Sequence, residues 1–159
     1  MNKKQVERME KINKLIFKIG SIDRKFFNSR NGMSEFVEGK TTVKYKNGYT
    51  QKIITITEEG AIKGFNNGGT LRALVREFKR YIMTGKLIDG EEGRGGLYCT
   101  YWGYSIDGMD EIVKFAKEIG YISKENPSYK EYLLDCYKKE SWWMDSRLKE
   151  EIEKNLLNI

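Results

Sequence analysis

The sequence GFNNGGTLRALVREFKRYIMT, residues 64–84, joins a glycine-rich turn to an amphipathic helix. Its apolar residues recur at i, i+3, i+4, i+7 and i+11, which predicts a helix from about residue 70 to 84 with one buried face: Leu71, Leu74, Val75, Phe78 and Ile82. A glycine-rich turn before a basic helix can bind a phosphate or simply cap the helix. Both interpretations stay open for Gly68 and Gly69.

A second face of this helix carries a basic stripe, which consists of Arg72, Arg76, Lys79 and Arg80. Like charges at this spacing repel each other by a few tenths of a kcal/mol per pair. We therefore expect an anion to offset them, either from acids of the C-terminal half or from an external ligand.

On the N-terminal side, the pattern predicts an amphipathic helix over residues 4–19 that ends at Gly20, with Lys11, Lys14 and Lys18 on its polar side. Residues 28–40 are rich in Asn, Ser and Gly, and we expect a loop there. Asn47-Gly48 predicts a two-residue hairpin turn that sets Tyr45 opposite Thr50. The run 53–56 is typical of a central strand covered on both sides, and residues 61–65 of a third short strand.

On the C-terminal side, we expect a mobile loop over residues 86–96, a strand over 97–104 and a helix from Asp107 to Gly120. Asn126-Pro127 predicts the start of another helix, and apolar residues from Met144 to Leu156 predict a last one. The sequence thus predicts a single α+β domain over residues 1–159. In it, a small antiparallel sheet is packed by two central helices, with helical N- and C-terminal ends.

Charge is distributed unevenly along the chain, whose net charge is +6. Residues 1–30 carry nine basic residues against three acids, and residues 31–86 carry ten against five. Residues 87–159 carry ten basic residues against fifteen acids. Such a chain can attract a polyanion with one side and leave the other side for a protein partner.

Composition excludes several classes of chemistry. The chain has no histidine, which removes histidine bases, Ser-His and Cys-His pairs and nearly all transition-metal sites, so we predict no metal site. Cys99 and Cys136 lie far apart, and we expect both to be reduced thiols. Because no apolar run is long enough for a signal peptide or a membrane span, we expect a cytoplasmic protein without membrane contact.

Residues 41–122 resemble the core of GNAT-type N-acetyltransferases in their order of hairpin, glycine-rich loop, helix, strand and helix. The family signature of Arg or Gln, two residues, Gly, one residue, then Gly or Ala aligns with residues 63–68, where Lys63 and Asn66 replace signature residues. This resemblance implies acetyl-CoA as a cofactor bound at Gly68 and Gly69. The general-acid tyrosine of that family would fall near Ala116.

Non-catalytic binding is the leading hypothesis, with no cofactor. The basic residues could bind a phosphate backbone, and Tyr101, Trp102, Trp142 and Trp143 could stack on bases or anchor a protein interface. The small, Lys/Asn/Ile-rich chain resembles phage or mobile-element accessory proteins, including anti-CRISPR-type inhibitors of host defence. The expected partner is therefore nucleic acid or a protein complex that handles it. Oligomeric state stays open.

Overall fold

The computed structural model describes residues 1–56, 69–87, 94 and 96–157, and in these ranges it contains five helices and two small antiparallel sheets. The α+β class is confirmed. The helices are α1 (Lys3–Ile22), α2 (Gly69–Thr84), α3 (Ile106–Glu118), α4 (Tyr129–Lys138) and α5 (Ser146–Asn155). The strands are β1 (Asn28–Ser29), β2 (Gly32–Met33), β3 (Glu35–Val37), β4 (Lys44–Lys46) and β5 (Ile53–Ile54).

Helix α1 lies at the centre of the packing and contacts α2, α3, β1 and β3. It begins with a capping box between Asn2 and Gln5, in which each side chain accepts a hydrogen bond from the other residue's backbone N–H. The predicted end at Gly20 is wrong, because α1 continues to Ile22. Gly20 instead allows close packing, since a Cβ there would lie 2.7 Å from Met33 Sδ.

The segment predicted as a loop over residues 28–40 contains three short strands. β1 pairs with β2 in a tight hairpin, and β3 pairs with β4 in the second sheet. Asn13 of α1 continues the hydrogen bonding of β3, because its side chain donates to Phe36 O at 2.9 Å and accepts from Phe36 N at 2.7 Å. The composition of residues 28–40 did not predict these strands, because strands of two or three residues are stabilised by contacts with a helix that is distant in the sequence.

The hairpin between β4 and β5 exists, but its predicted register is wrong. Tyr45 pairs with Ile54, and the connection spans residues 47–52. Gly48 does not take a positive φ. It is required by space, because a Cβ there would lie 2.5 Å from Gly32 O.

The prediction that residues 53–56 form a central strand is also wrong. The strand order is β3-β4-β5, so β4 is central and β5 has its partner on one side within the described residues. Ile53 is accordingly 60% exposed, whereas Ile56 beyond the strand is buried. The predicted strand at 61–65 lies outside the described residues, as does most of the predicted loop at 86–96.

Helix α2 has the predicted bounds and buried face. Gly85 follows it with a φ of 76°, and its N–H donates to Tyr81 O. Side chains of α1 satisfy the remaining carbonyls at this end. Arg8 Nε donates to Ile82 O at 2.9 Å, and Gln5 donates to Met83 O. Arg8 therefore acts as a helix cap, with its positive charge at the negative end of the α2 dipole.

The predicted strand at residues 97–104 is wrong, because this segment consists of turns with positive φ at Gly96 and Gly103. Its aromatic composition comes from burial in the core, where Tyr98 and Trp102 pack. Tyr104 then joins three backbone positions. Its hydroxyl lies 2.9 Å from Asp23 O and 3.2 Å from Ile19 O, and it accepts from Phe26 N.

The last three helices exist as predicted, but two of them begin at other residues. Ser105 caps α3 in place of Asp107, and Ser128 caps α4 in place of Asn126. In both cases the serine hydroxyl accepts a backbone N–H three residues later. Gly120 ends α3 as predicted, with a φ of 80°. Asp145 caps α5.

We expect Tyr104→Phe to lower the free energy of unfolding by about 1–2 kcal/mol. The substitution removes the hydroxyl that is hydrogen-bonded to the Asp23 carbonyl and the Phe26 N–H. Burial raises the pKa of Tyr104 above its ordinary value, so the hydroxyl keeps its proton to donate. Urea denaturation followed by circular dichroism measures the change. Tyr49→Phe is the control, because Tyr49 is 69% exposed. Equal stability of the two variants would contradict the role of Tyr104.

We expect Gly48→Ala to destabilise the fold by about 2 kcal/mol or more, because the new Cβ would meet backbone atoms of Gly32, Met33 and Ser34 at 2.5–2.7 Å. Gly69→Ala is the matched control. No described atom lies within 4 Å of a Cβ at Gly69, which is the first residue of α2, so we expect alanine there to change the stability by less than about 1 kcal/mol. Thermal unfolding of both variants tests the contrast, and a stable Gly48→Ala protein would overturn it.

Candidate functional site

The three lysines predicted on α1 have different surroundings. Lys11 Nζ donates to Tyr81 Oη at 3.2 Å. Lys18 Nζ lies 3.9 Å from Glu111 Oε2 and 6.0 Å from the ring centroid of Phe115. Lys14 is exposed.

Among the described residues, one acid of the C-terminal half forms an ion pair with α1. Within the described ranges, Lys18 with Glu111 is the one ion pair that joins α1 to residues 87–159. This pair has a long separation and both side chains are partly exposed, so it contributes little to stability. The charge of Lys18 is thus offset by a weak pair, and Lys14 is exposed.

An open groove runs between α1 and α3 beside these lysines. Its volume is about 460 Å³, and it is lined by Glu10, Asn13, Lys14, Phe17, Lys18 and Phe115. Phe17 is 63% exposed because it lies on the face of α1 opposite the buried Ile12, Ile16 and Ile19. The groove thus combines an exposed aromatic ring with two lysines and one carboxylate, that of Glu10. We call it the α1–α3 groove.

The basic stripe of α2 faces a different part of the molecule. Lys79 Nζ donates to the carbonyl of Ile56, which follows β5. Arg76 and Arg80 also take part in interactions within the protein, and Arg72 is half-buried. Three of the four residues of the stripe therefore take part in contacts within the protein.

The predicted phosphate-binding turn is described only in part. Gly68 lies outside the described residues, whereas Gly69 is exposed and begins α2. Open space surrounds the Cβ position of Gly69, so close packing does not require glycine there.

The four predicted interface aromatics divide into core and surface residues. Trp102 is 4% exposed and packs against Phe26 and Tyr104, so its ring has almost no surface to offer a partner. Tyr101 and Trp142 are 70% and 93% exposed. Trp143 is half-buried, and its ring stacks on Tyr132 at a centroid distance of 6.4 Å.

A cleft lined largely by aromatic rings lies next to these residues. It has a volume of about 190 Å³ and is lined by Arg94, Gly96, Tyr98, Cys99, Thr100, Tyr101, Tyr132 and Trp143. The guanidinium carbon of Arg94 lies 5.1 Å from the ring centroid of Tyr98 and 5.0 Å from that of Tyr132. We call this the aromatic cleft. Burial raises the pKa of Tyr98 to about 12, so its phenol is neutral at physiological pH.

Sequence reasoning missed Phe17 and Arg94. Phe17 stands between two lysines on the polar face of α1, and a large aromatic residue at such a position is the signal that could have identified it. Arg94 follows an acidic, glycine-rich run, and no local pattern connects it with Tyr132, which is 38 positions away. Its position follows from packing alone.

Two features are absent from the described residues: a metal-binding cluster and a helix able to span a membrane. In the ranges that the structure describes, no three Cys, Asp or Glu side chains are arranged to hold a metal ion. The same ranges contain no helix of the length and apolarity that a membrane crossing requires. The surfaces described above are suited to binding through charge and aromatic contact.

Comparison with known proteins identifies relatives of this chain. The model of the YoqU family matches residues 2–144. The SPbeta prophage-derived uncharacterized protein YoqU of Bacillus subtilis (strain 168) is 33% identical over 131 residues, which cover 80% of this chain and 92% of that protein. No solved structure matches the chain significantly. On the extent of these matches, the chain belongs to the YoqU family.

Proposed function

We propose that this chain is a phage protein that acts by non-catalytic binding, and that the α1–α3 groove engages single-stranded nucleic acid. The prophage origin of its Bacillus relative supports the phage assignment. The observation that carries the binding proposal is the 63% exposed ring of Phe17 between Lys14 and Lys18.

The chemistry of the groove fits a single strand better than a duplex. A flat aromatic ring at the surface can stack on an unpaired base, whose face is accessible, while neighbouring cations contact the phosphates. In a duplex the base faces are covered by stacking, and Phe17 would have no partner. The basic N-terminal part of the chain adds long-range attraction to the polyanion.

Such binding fits a role on nucleic-acid-handling machinery of the host. A protein of this kind could occupy the nucleic-acid path of a defence complex, as an anti-CRISPR-type inhibitor would. Direct contact with such a complex is the alternative mode, and it would depend less on salt than phosphate binding does.

The acetyltransferase alternative receives no support from a specific observation. The strand at 97–104 that completes the resemblance is absent, and the glycine pair is described only at Gly69. We expect calorimetric titration with millimolar acetyl-CoA to show no binding. Saturable binding that Gly69→Ala reduces would restore this alternative.

We expect a fluorescently labelled 20-nucleotide oligothymidine to bind with an affinity that falls as salt rises. Two phosphate contacts, from Lys14 and Lys18, would give a slope of about −1.4 for the logarithm of the binding constant against that of the salt concentration. Lys14→Glu with Lys18→Gln should lower the affinity at least about tenfold and flatten this slope. Fluorescence anisotropy measures the affinity and its salt dependence between about 50 and 200 mM salt, where the Debye length falls from about 14 to about 7 Å.

Two controls separate a specific site from bulk charge. Lys149→Glu with Lys138→Gln changes the net charge by the same amount at exposed positions of α5 and α4, and it should leave binding nearly unchanged. Phe17→Ala should weaken binding to the single strand by about fivefold or more, because stacking contributes about 1–3 kcal/mol per base. Equal effects of the two lysine pairs, or no effect of Phe17→Ala, would refute the proposed groove.

A further inference from the structure

A second cavity of about 360 Å³ lies beside the aromatic cleft, between the 100–106 segment and α5. Thr100, Tyr101 and Trp143 line both spaces. The second cavity adds two carboxylates, Asp145 and Glu151, together with Arg147. A ligand that occupied both spaces would contact Tyr101 and Trp143 where the two spaces meet.

At one end of the aromatic cleft, a cationic side chain of the protein itself already packs on the aromatic rings. Arg94 lies over the rings of Tyr98 and Tyr132 within the 6 Å range of cation–π contacts. Tyr101 offers a further aromatic ring at the junction, and it is 70% exposed. A second cation, supplied from outside, would find there the same kind of ring surface that already holds Arg94.

The charges beside Tyr101 favour a cation over an anion. Glu151 and Asp145 line the cavity, and the whole segment 87–159 has five more acids than basic residues. Arg147 Nε lies 3.9 Å from Glu151 Oε1. Because this ion pair is largely exposed, it contributes little free energy, and a cation of a ligand can take the place of Arg147 beside Glu151. In the second cavity two carboxylates line the space together with one arginine, which favours a cation there.

A further exposed aromatic residue, Trp142, is the sequence neighbour of a residue that lines both cavities. It is 93% exposed and directly precedes Trp143. Exposed tryptophan and tyrosine beside an open cleft are typical of protein interfaces, where such residues carry much of the binding energy. A small cationic molecule would fill one cavity and leave Trp142 uncovered, whereas a polypeptide segment would cover it.

We propose that the aromatic cleft and the adjoining cavity form a docking site for an extended segment of a partner protein. In this segment an Arg or Lys side chain stacks on Tyr101 and pairs with Glu151, while a neighbouring large apolar residue packs against Trp142 and Trp143. This proposal does not depend on nucleic-acid binding by the α1–α3 groove. A protein with both surfaces can hold a nucleic acid and a basic protein segment at the same time.

The test uses the full-length protein and a defined panel of capped octapeptides. Each peptide carries one Arg and one Leu or Trp at a separation of one to four residues on a Gly/Ser background. A matched panel has Glu in place of Arg. We expect members of the Arg panel to bind and to shift the side-chain NMR signals of Trp142 and Trp143, and we expect the Glu panel not to bind.

Variants with matched controls locate the site. Glu151→Gln and Tyr101→Ala should each weaken peptide binding by about fivefold, as expected for loss of a charge partner or a cation–π contact. Glu150→Gln and Tyr49→Ala should not, because Glu150 lies outside the cavity lining and Tyr49 follows β4. No binding of either panel at millimolar concentration, equal binding of the Glu panel, or equal effects of the paired variants would overturn the proposal. Competition by oligothymidine at this site would also overturn it.

Discussion

The burial of one face of α1 is the constraint on which the rest of the structure depends. Ile12, Leu15, Ile16 and Ile19 are completely buried, and the helix that carries them contacts α2, α3 and β3. Burial of each such side chain stabilises the fold by about 1.5–3 kcal/mol relative to exposure. The exposed Phe17 and Lys14 lie on the surface of α1 outside this buried face.

Side-chain hydrogen bonds then fix segments that have little regular structure of their own. Asn13 extends the pairing of β3, and Tyr104 ties the end of α1 to the segment that follows it. Arg8 caps α2 from a position on α1. In each case one side chain satisfies backbone groups that a longer strand or helix would otherwise pair, which is why very short strands suffice here.

The two candidate surfaces differ in physical character. The α1–α3 groove combines cations with one exposed ring and suits a polyanion with accessible bases. The aromatic cleft and its adjoining cavity combine several rings with carboxylates and suit a cation. The uneven charge of the sequence is thus reflected in two surfaces with different expected partners.

The sequence by itself determined the α+β class, the periodic helices and the buried face of α2, because helical spacing of apolar residues is a local signal. It also indicated Trp142 and Tyr101 as candidate surface residues, but it could not separate them from Trp102, since exposure depends on contacts with Phe26 and other distant residues. Tertiary structure alone decided the register at Tyr45, the turns at 97–104, and the meeting of Arg94 with Tyr132. These features arise from packing between segments far apart in the chain, and no local periodicity encodes such contacts.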